Sequence, residues 1–308
     1  MKEQVGKVTL NYQWYSGKDL YCDGPIEDTM LEIASTYGED ELNGVIARSN
    51  SWEILYHFSH IRQNIVSWLP ITSRDNVLEI GAGCGAITGA LADLAGTVTC
   101  IELSKKRSLI NANRNCEKDN IEIMVGNFMD IEPNLPMQYD YITLIGVFEY
   151  ADSYIGGEDP YETFLRTIAR HLKPDGKIII AIENQMGLKY WAGCVEDHVG
   201  KFFEGIEGYH HTEGVRTFSR SGMEELLEKV GLTKYKFYYP YPDYKFPTSI
   251  YSDEYLPKVG ELNKNMNNLD RERIVLFDEG LVFDRMIREG LFPLYSNSFL
   301  IMTEQGED

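Results

Sequence analysis

The stretch Asn76-Val-Leu-Glu-Ile-Gly-Ala-Gly-Cys-Gly-Ala86 decides the fold. Val77, Leu78 and Ile80 read as a short buried strand, with Glu79 near its end. Gly81, Gly83 and Gly85 follow at every second position. A strand that runs into such a turn needs residues without a Cβ, because the backbone must bend sharply and let a ligand approach closely. The apolar run from Ile87 to Ala95 reads as a helix whose N-terminus points back at that ligand. This is the layout of a nucleotide-type site at the carboxyl end of a first strand.

Gly81, Gly83 and Ala86 also satisfy the dinucleotide fingerprint G-x-G-x-x-G/A. Two details favour S-adenosylmethionine over NAD. Glu79 stands two residues before the first glycine, where it repels a pyrophosphate and welcomes an ammonium group. Gly85 sits one position short of the NAD spacing. The run Glu79-x-Gly81-x-Gly83-x-Gly85 resembles motif I of class I S-adenosylmethionine-dependent methyltransferases. Ala82 completes that turn.

The resemblance implies a Rossmann-like α/β fold. It calls for a seven-stranded, mostly parallel sheet with an antiparallel last strand, to which this chain adds an N-terminal arm and an insertion before the last strand. The strands expected are Val77–Ile80, Thr97–Ile101, Ile121–Val125, Tyr139–Val147, Lys177–Ile182, Thr233–Tyr239 and Asn297–Met302. Lys173-Pro-Asp-Gly176 reads as a turn before the fifth. A helix is expected over Asn50–Leu69, capped by Asn50 with Glu53 and stopped by Pro70. Tyr56, His57 and Arg62 on it could reach a ligand or serve the core. Another helix is expected over Leu269–Arg288. The domain reading is therefore 1–49 an arm or lid, 50–240 the cofactor-binding core, 241–294 an insertion or cap, and 295–308 the last strand.

Glu102 ends the second strand about twenty residues after the glycine turn, where a carboxylate can accept from both ribose hydroxyls. Leu103 follows it. The resemblance implies that Asn127, with Asp130 as alternative, meets the adenine edge, and Phe128 could stack nearby. It also places Gly146 at the corner that faces the methyl group. Glu149 and Tyr150, just beyond, are candidates for positioning an acceptor or taking its proton. The long stretch Gly187–Gly214 hints at substrate work. With Glu183 at its start it supplies further candidate bases: His198, His210, His211, Glu204, Glu207 and Glu213.

The chain of 308 residues carries a net charge of −19 and 43% hydrophobic residues. Such acidity disfavours a nucleic-acid substrate. Five cysteines without CxxC spacing read as reduced thiols of a cytoplasmic protein. No HxxxH or HExxH spacing points to a metal, and no apolar run is long enough for membrane insertion. Tyr238-Tyr-Pro-Tyr-Pro-Asp-Tyr-Lys-Phe-Pro247 and Ser296-Asn-Ser-Phe-Leu300 resemble methyltransferase modules associated with bacterial cell-surface polysaccharide assembly. That resemblance implies polysaccharide biosynthesis and O-methylation of a sugar, glycan or small-molecule hydroxyl. The alternatives are an NAD-dependent oxidoreductase and a non-catalytic cofactor-binding subunit of a glycan-assembly complex.

Overall fold

The computed structural model describes residues 1–135 and 138–304. They hold ten strands: β1 (Lys2–Val5), β2 (Val8–Trp14), β3 (Asn76–Ile80), β4 (Thr97–Glu102), β5 (Ile121–Gly126), β6 (Tyr139–Ile145), β7 (Leu172–Glu183), β8 (Lys234–Tyr241), β9 (Ser249–Ser252) and β10 (Ser298–Glu304). The chain forms two compact units, 1–144 with 170–176, and 145–169 with 177 onward.

In the first unit the strands lie in the order β1-β2-β5-β4-β3-β6. All neighbours are parallel except the β1–β2 hairpin. The sheet grows from β3 to one side through β4 and β5, then to the other through β6. Such doubly wound order puts a ligand site at the carboxyl ends of the strands, where the direction of growth reverses. Val77 and Leu78 are fully buried, as strands covered on both faces require. A cluster of Met30, Ile33, Leu42, Ile54, Phe58 and Ile110 packs against Cys84 of the glycine turn.

In the second unit the order is β7-β10-β8-β9. β10 is antiparallel to both β7 and β8, as expected of the last strand. The unbroken run Ile178–Ile182 of β7 is buried throughout. Residues 305–308 of the expected last segment lie outside the described residues.

Several expectations are corrected. The strands number ten rather than seven, because β1, β2 and β9 are added. β2 pairs with β5 in parallel, with Leu10 opposite Ile123, so part of the stretch 1–49 belongs to a sheet. The expected helix over Asn50–Leu69 is split into Trp52–Phe58 and a 3₁₀ segment His60–Ile65, with Ser59 extended between them. Its cap is Ser51, whose Oγ accepts from the Ile54 N–H, while Asn50 takes a left-handed conformation at the end of the preceding helix. Lys173-Pro-Asp-Gly176 is strand rather than turn. Lys173 ion-pairs with Asp140 at 2.7 Å there. Gly176 lies against Tyr139, whose carbonyl oxygen a Cβ would meet at 2.8 Å. The helix expected from Leu269 begins only at Glu279, capped by Asp278. No helix of the described residues is long and apolar enough to cross a membrane.

If β2 is a true sheet member, Leu10→Ala costs about 2–5 kcal/mol of stability in urea unfolding. A loss below roughly 0.5 kcal/mol is what a superficial arm would give, and would contradict this packing.

Candidate functional site

The glycine turn is stapled to β4. The N–H groups of Gly81 and Ala82 donate to the Ile101 carbonyl at 2.9 and 3.2 Å. The Gly83 N–H donates to Glu102 Oε2 at 2.8 Å, and the Ser104 N–H donates to Glu102 Oε1 at 2.8 Å. Gly81, Gly83 and Gly85 all have positive φ, at 72°, 54° and 77°. They differ in what surrounds them. A Cβ on Gly83 would meet open space, whereas one on Gly85 would strike Asn111 Oδ1 at 2.5 Å. Gly83 thus faces the free side of the turn, and Gly85 faces the buried Asn111–Asn115 pair.

Glu79 is enclosed. Its Oε2 accepts from Thr88 Oγ1 at 2.7 Å and from Cys100 Sγ at 3.3 Å. Burial pushes its carboxyl up to about 7, with the Glu102 charge adding and the Thr88 and Cys100 donors opposing. Burial also lifts Glu102, against the pull of its backbone donors and of Arg107. Leu103 is partly buried beside it. Asn127 follows β5, and its Oδ1 accepts from the Met129 N–H at 2.9 Å, capping the short helix that begins at the buried Phe128.

The segment before this region is pinned down by charge. Asp19 accepts from the Lys105 N–H at 2.6 Å, at the start of the helix Lys105–Arg114. Arg107 binds Asp23 at 2.6 Å and Glu27 at 2.8 Å, under the ring of Tyr21. His57 is buried on Asp23 at 3.0 Å, and Arg62 lies over the ring of Tyr56.

Gly146 belongs to the second unit, where its N–H donates to the Ala181 carbonyl at 2.9 Å. A Cβ there would strike Tyr244 Oη at 2.6 Å. Within the same unit Glu149, Glu183 and His198 converge, each offering an atom within 4.8 Å of the others. His198 Nε2 lies 3.3 Å from Glu183 Oε2, and its Nδ1 lies 2.9 Å from Tyr150 Oη. Lys245 contacts the other oxygen of Glu183 and bonds Asp197 at 2.9 Å. Lys189 bonds Asp243 at 2.7 Å and Asp197 at 2.9 Å.

Burial and the Glu183 charge push the Glu149 carboxyl up. Burial works against ionising Glu183, yet Lys245 and His198 hold it far below the usual carboxylate range. Burial opposes the protonation of His198, but the Glu183 carboxylate prevails and lifts it to about 9. His210 and His211 do not join this group. They are exposed on the turn that follows His198 in the chain, where the His211 N–H donates to Glu204 at 3.1 Å. Sequence reasoning named Glu149, Tyr150, Glu183 and His198 but missed Lys245, Asp197, Lys189 and Asp243. The signal available was a charged pair, Asp243 and Lys245, inside an aromatic, proline-rich run.

Two predictions follow the geometry of the turn. Gly83→Ala leaves most stability in place, at a cost of about 1–2 kcal/mol for its φ, but loses S-adenosylhomocysteine binding in calorimetry. Gly85→Ala costs more, since it adds a clash to the same strain, and the two variants exchanging behaviour would contradict this assignment of faces. For Glu79 the folded value of about 7 exceeds the ordinary 4.5. The fold therefore favours the protonated acid, and that stability is present below pH 4.5 and lost as pH rises through 7. The loss is roughly 3 kcal/mol by pH 8. Glu79→Gln flattens this part of the stability–pH curve in urea titrations, and an unchanged slope would show that the acid is not buried as described.

Residues 78–180 match a family model described as a methyltransferase domain. An uncharacterized methyltransferase of Staphylococcus carnosus is 28% identical over 178 residues, covering 58% of this chain and 76% of that protein. A probable ribosomal RNA small subunit methyltransferase A of Methanothermobacter thermautotrophicus is 36% identical over 85 residues, 25% of this chain and 31% of that one. A ubiquinone biosynthesis O-methyltransferase of Xanthomonas euvesicatoria is 24% identical over 187 residues, 58% of this chain and 74% of that one. The match spans the glycine turn and β3 to β6, the strands whose order is that of a doubly wound nucleotide-binding sheet. The matched stretch is a methyltransferase domain, and with this Rossmann-like sheet the chain is an S-adenosylmethionine-dependent methyltransferase of the class I fold.

Proposed function

We propose that this enzyme methylates a hydroxyl oxygen of a small molecule, sugar or glycan. The observation that carries the reading is the buried group of Glu149, Glu183, His198 and Tyr150. A sulfonium methyl is already activated, so the protein mainly aligns it and excludes water. A hydroxyl acceptor must also lose its proton, and the second unit concentrates groups that can take and pass one on. In the reaction an acceptor oxygen pair attacks the methyl carbon, the carbon–sulfur bond breaks, and its electrons stay on sulfur. The hydroxyl proton goes to the acid–base group.

Donor binding falls to the first unit. The open side of Gly83 takes the amino-acid portion, with the backbone of Gly81, Ala82 and Gly85 shaping the turn. Glu102 exchanges its bond with the Gly83 N–H for the ribose hydroxyls, and Leu103, Asn127 and Phe128 serve the adenine. Glu79 supports the turn from beneath, and in its ionised form, reached as pH rises through about 7, gives the ammonium group a negative field. In the second unit, Gly146 keeps backbone where a side chain would collide with Tyr244. Five free cysteines suit a reducing, cytoplasmic setting.

An RNA acceptor is the second reading, favoured by the 36% match to the archaeal protein. The charge of −19 argues against it, since a phosphate backbone must be neutralised by cations. A tritiated methyl donor offered to envelope glycans, small hydroxylated metabolites and RNA separates the two. Label on an ether oxygen supports the proposal, and label on a nitrogen or on RNA rejects it. Glu149→Gln is expected to lower kcat on the labelled acceptor by about 10²-fold or more while S-adenosylhomocysteine still binds.

A further inference from the structure

Glu149 and Glu183 are 1% and 0% exposed, yet one oxygen of Glu149, Oε2, has no hydrogen-bond partner among the described residues. An orphaned buried carboxylate oxygen is costly, and such an atom marks a missing partner. The same carboxylate has Glu183 and His198 beside it. We propose that Glu149, Glu183 and His198 bind one divalent first-row transition cation, which holds the acceptor hydroxyl and promotes loss of its proton.

The donor set fits. Two carboxylates and one imidazole are hard and borderline ligands suited to Mn²⁺ or Zn²⁺, and two negative charges match a dication. Ligand atoms about 2.1 Å from one ion lie roughly 3.0–3.4 Å apart when adjacent, and Glu183 Oε2 and His198 Nε2 are 3.3 Å apart. The surroundings fit too. Tyr150 at 2.9 Å from Nδ1 orients the ring and leaves Nε2 for the ion, as outer partners of metal-bound histidines do. His198 is further fixed by its backbone N–H, which donates to Glu196 at 2.8 Å. Lys245 occupies the far oxygen of Glu183, and Asp197 and Asp243 balance it and Lys189. Three protein ligands leave positions open for an acceptor oxygen. The ion's role is to lower the hydroxyl's pKa. With the ligand atoms occupied by the ion, the proton leaves to solvent in place of the direct transfer described above, and the resulting oxygen pair attacks the methyl carbon. Ligands drawn from positions 149, 183 and 198 share no short spacing, so the absence of a sequence motif carried no information about this site.

The role of the ion rests on the hydroxyl reading of the previous section, whereas the ligand set does not. The test is Mn²⁺ titration of EDTA-treated full-length protein, followed by the loss of the free-ion paramagnetic resonance signal. One Mn²⁺ per chain is expected. Glu149→Gln and His198→Ala weaken it more than about 10-fold and Tyr150→Phe less, while replacing the exposed His60 by Ala changes nothing. S-adenosylhomocysteine calorimetry confirms that each variant is folded. No Mn²⁺ or Zn²⁺ binding by folded protein, or binding indifferent to Glu149→Gln and His198→Ala, overturns the site. Ether formation at equal rates with and without Mn²⁺ overturns the ion's role but leaves the hydroxyl acceptor standing. Normal Mn²⁺ binding with label on nitrogen overturns the acceptor, and with it that role.

Discussion

The Glu102 carboxylate ties the glycine turn to the end of β4. It accepts from the N–H groups of Gly83 and Ser104, one on the turn after β3 and one after β4. Both donors are fixed by backbone, and of the two only the Ser104 N–H is buried, so that bond holds the carboxylate while the one to Gly83 faces the open side. Its position in turn depends on β3 and β4 being parallel neighbours in register, Ile80 opposite Ile101. The positive φ of three glycines is the conformational cost of bringing the turn back over that carboxylate. The turn is thus held in one conformation by its own backbone bonds.

This part was legible because it is local. A strand, three glycines and a following helix occupy under twenty residues, and each demands a residue type that no other arrangement demands as strongly. That Glu102 ends the next strand was legible for the same reason. The N-terminal strands were not. Val8 and Leu10 alternate with polar residues in a way that only pairing with β5, more than a hundred residues distant, makes into a sheet. Lys173-Pro-Asp-Gly176 was misread because its turn-forming residues are satisfied elsewhere. Lys173 finds Asp140, and glycine is needed for its approach to Tyr139 rather than for a bend. The Asn50 cap was one residue off because Ser51 offers the same hydroxyl chemistry and Asn tolerates the left-handed conformation that the previous helix end requires.

The second unit poses a different physical problem. Lys189 is 1% exposed, Glu149 and Glu183 are as deeply buried, and Asp243 lies among them. Burying so many charges is unfavourable unless each is paired, and removing one leaves another stranded. Such a group is poor evidence for stability and better evidence that its charges are needed there. Single histidines on a long loop could not be ranked by sequence, because what distinguishes His198 from His210 is enclosure. His198 sits between Glu183 and Tyr150, whereas His210 faces solvent.

The family match ends at residue 180, three residues before Glu183. Of the buried charged group it includes Glu149 alone, and His198, Lys189, Asp197, Asp243 and Lys245 all lie beyond it. What this chain shares with that family model is the stretch holding the glycine turn and β4 to β6. At Glu149, and then beyond residue 180, the fold places its most expensive chemistry: a carboxylate oxygen with no hydrogen-bond partner among the described residues, a histidine fixed from both sides, and two lysines held among acids. Burying these charges is unfavourable unless each is paired, and apolar side chains of similar volume often fill such space as stably. That cost is the physical reason to look for chemistry in this unit as well as in the glycine turn.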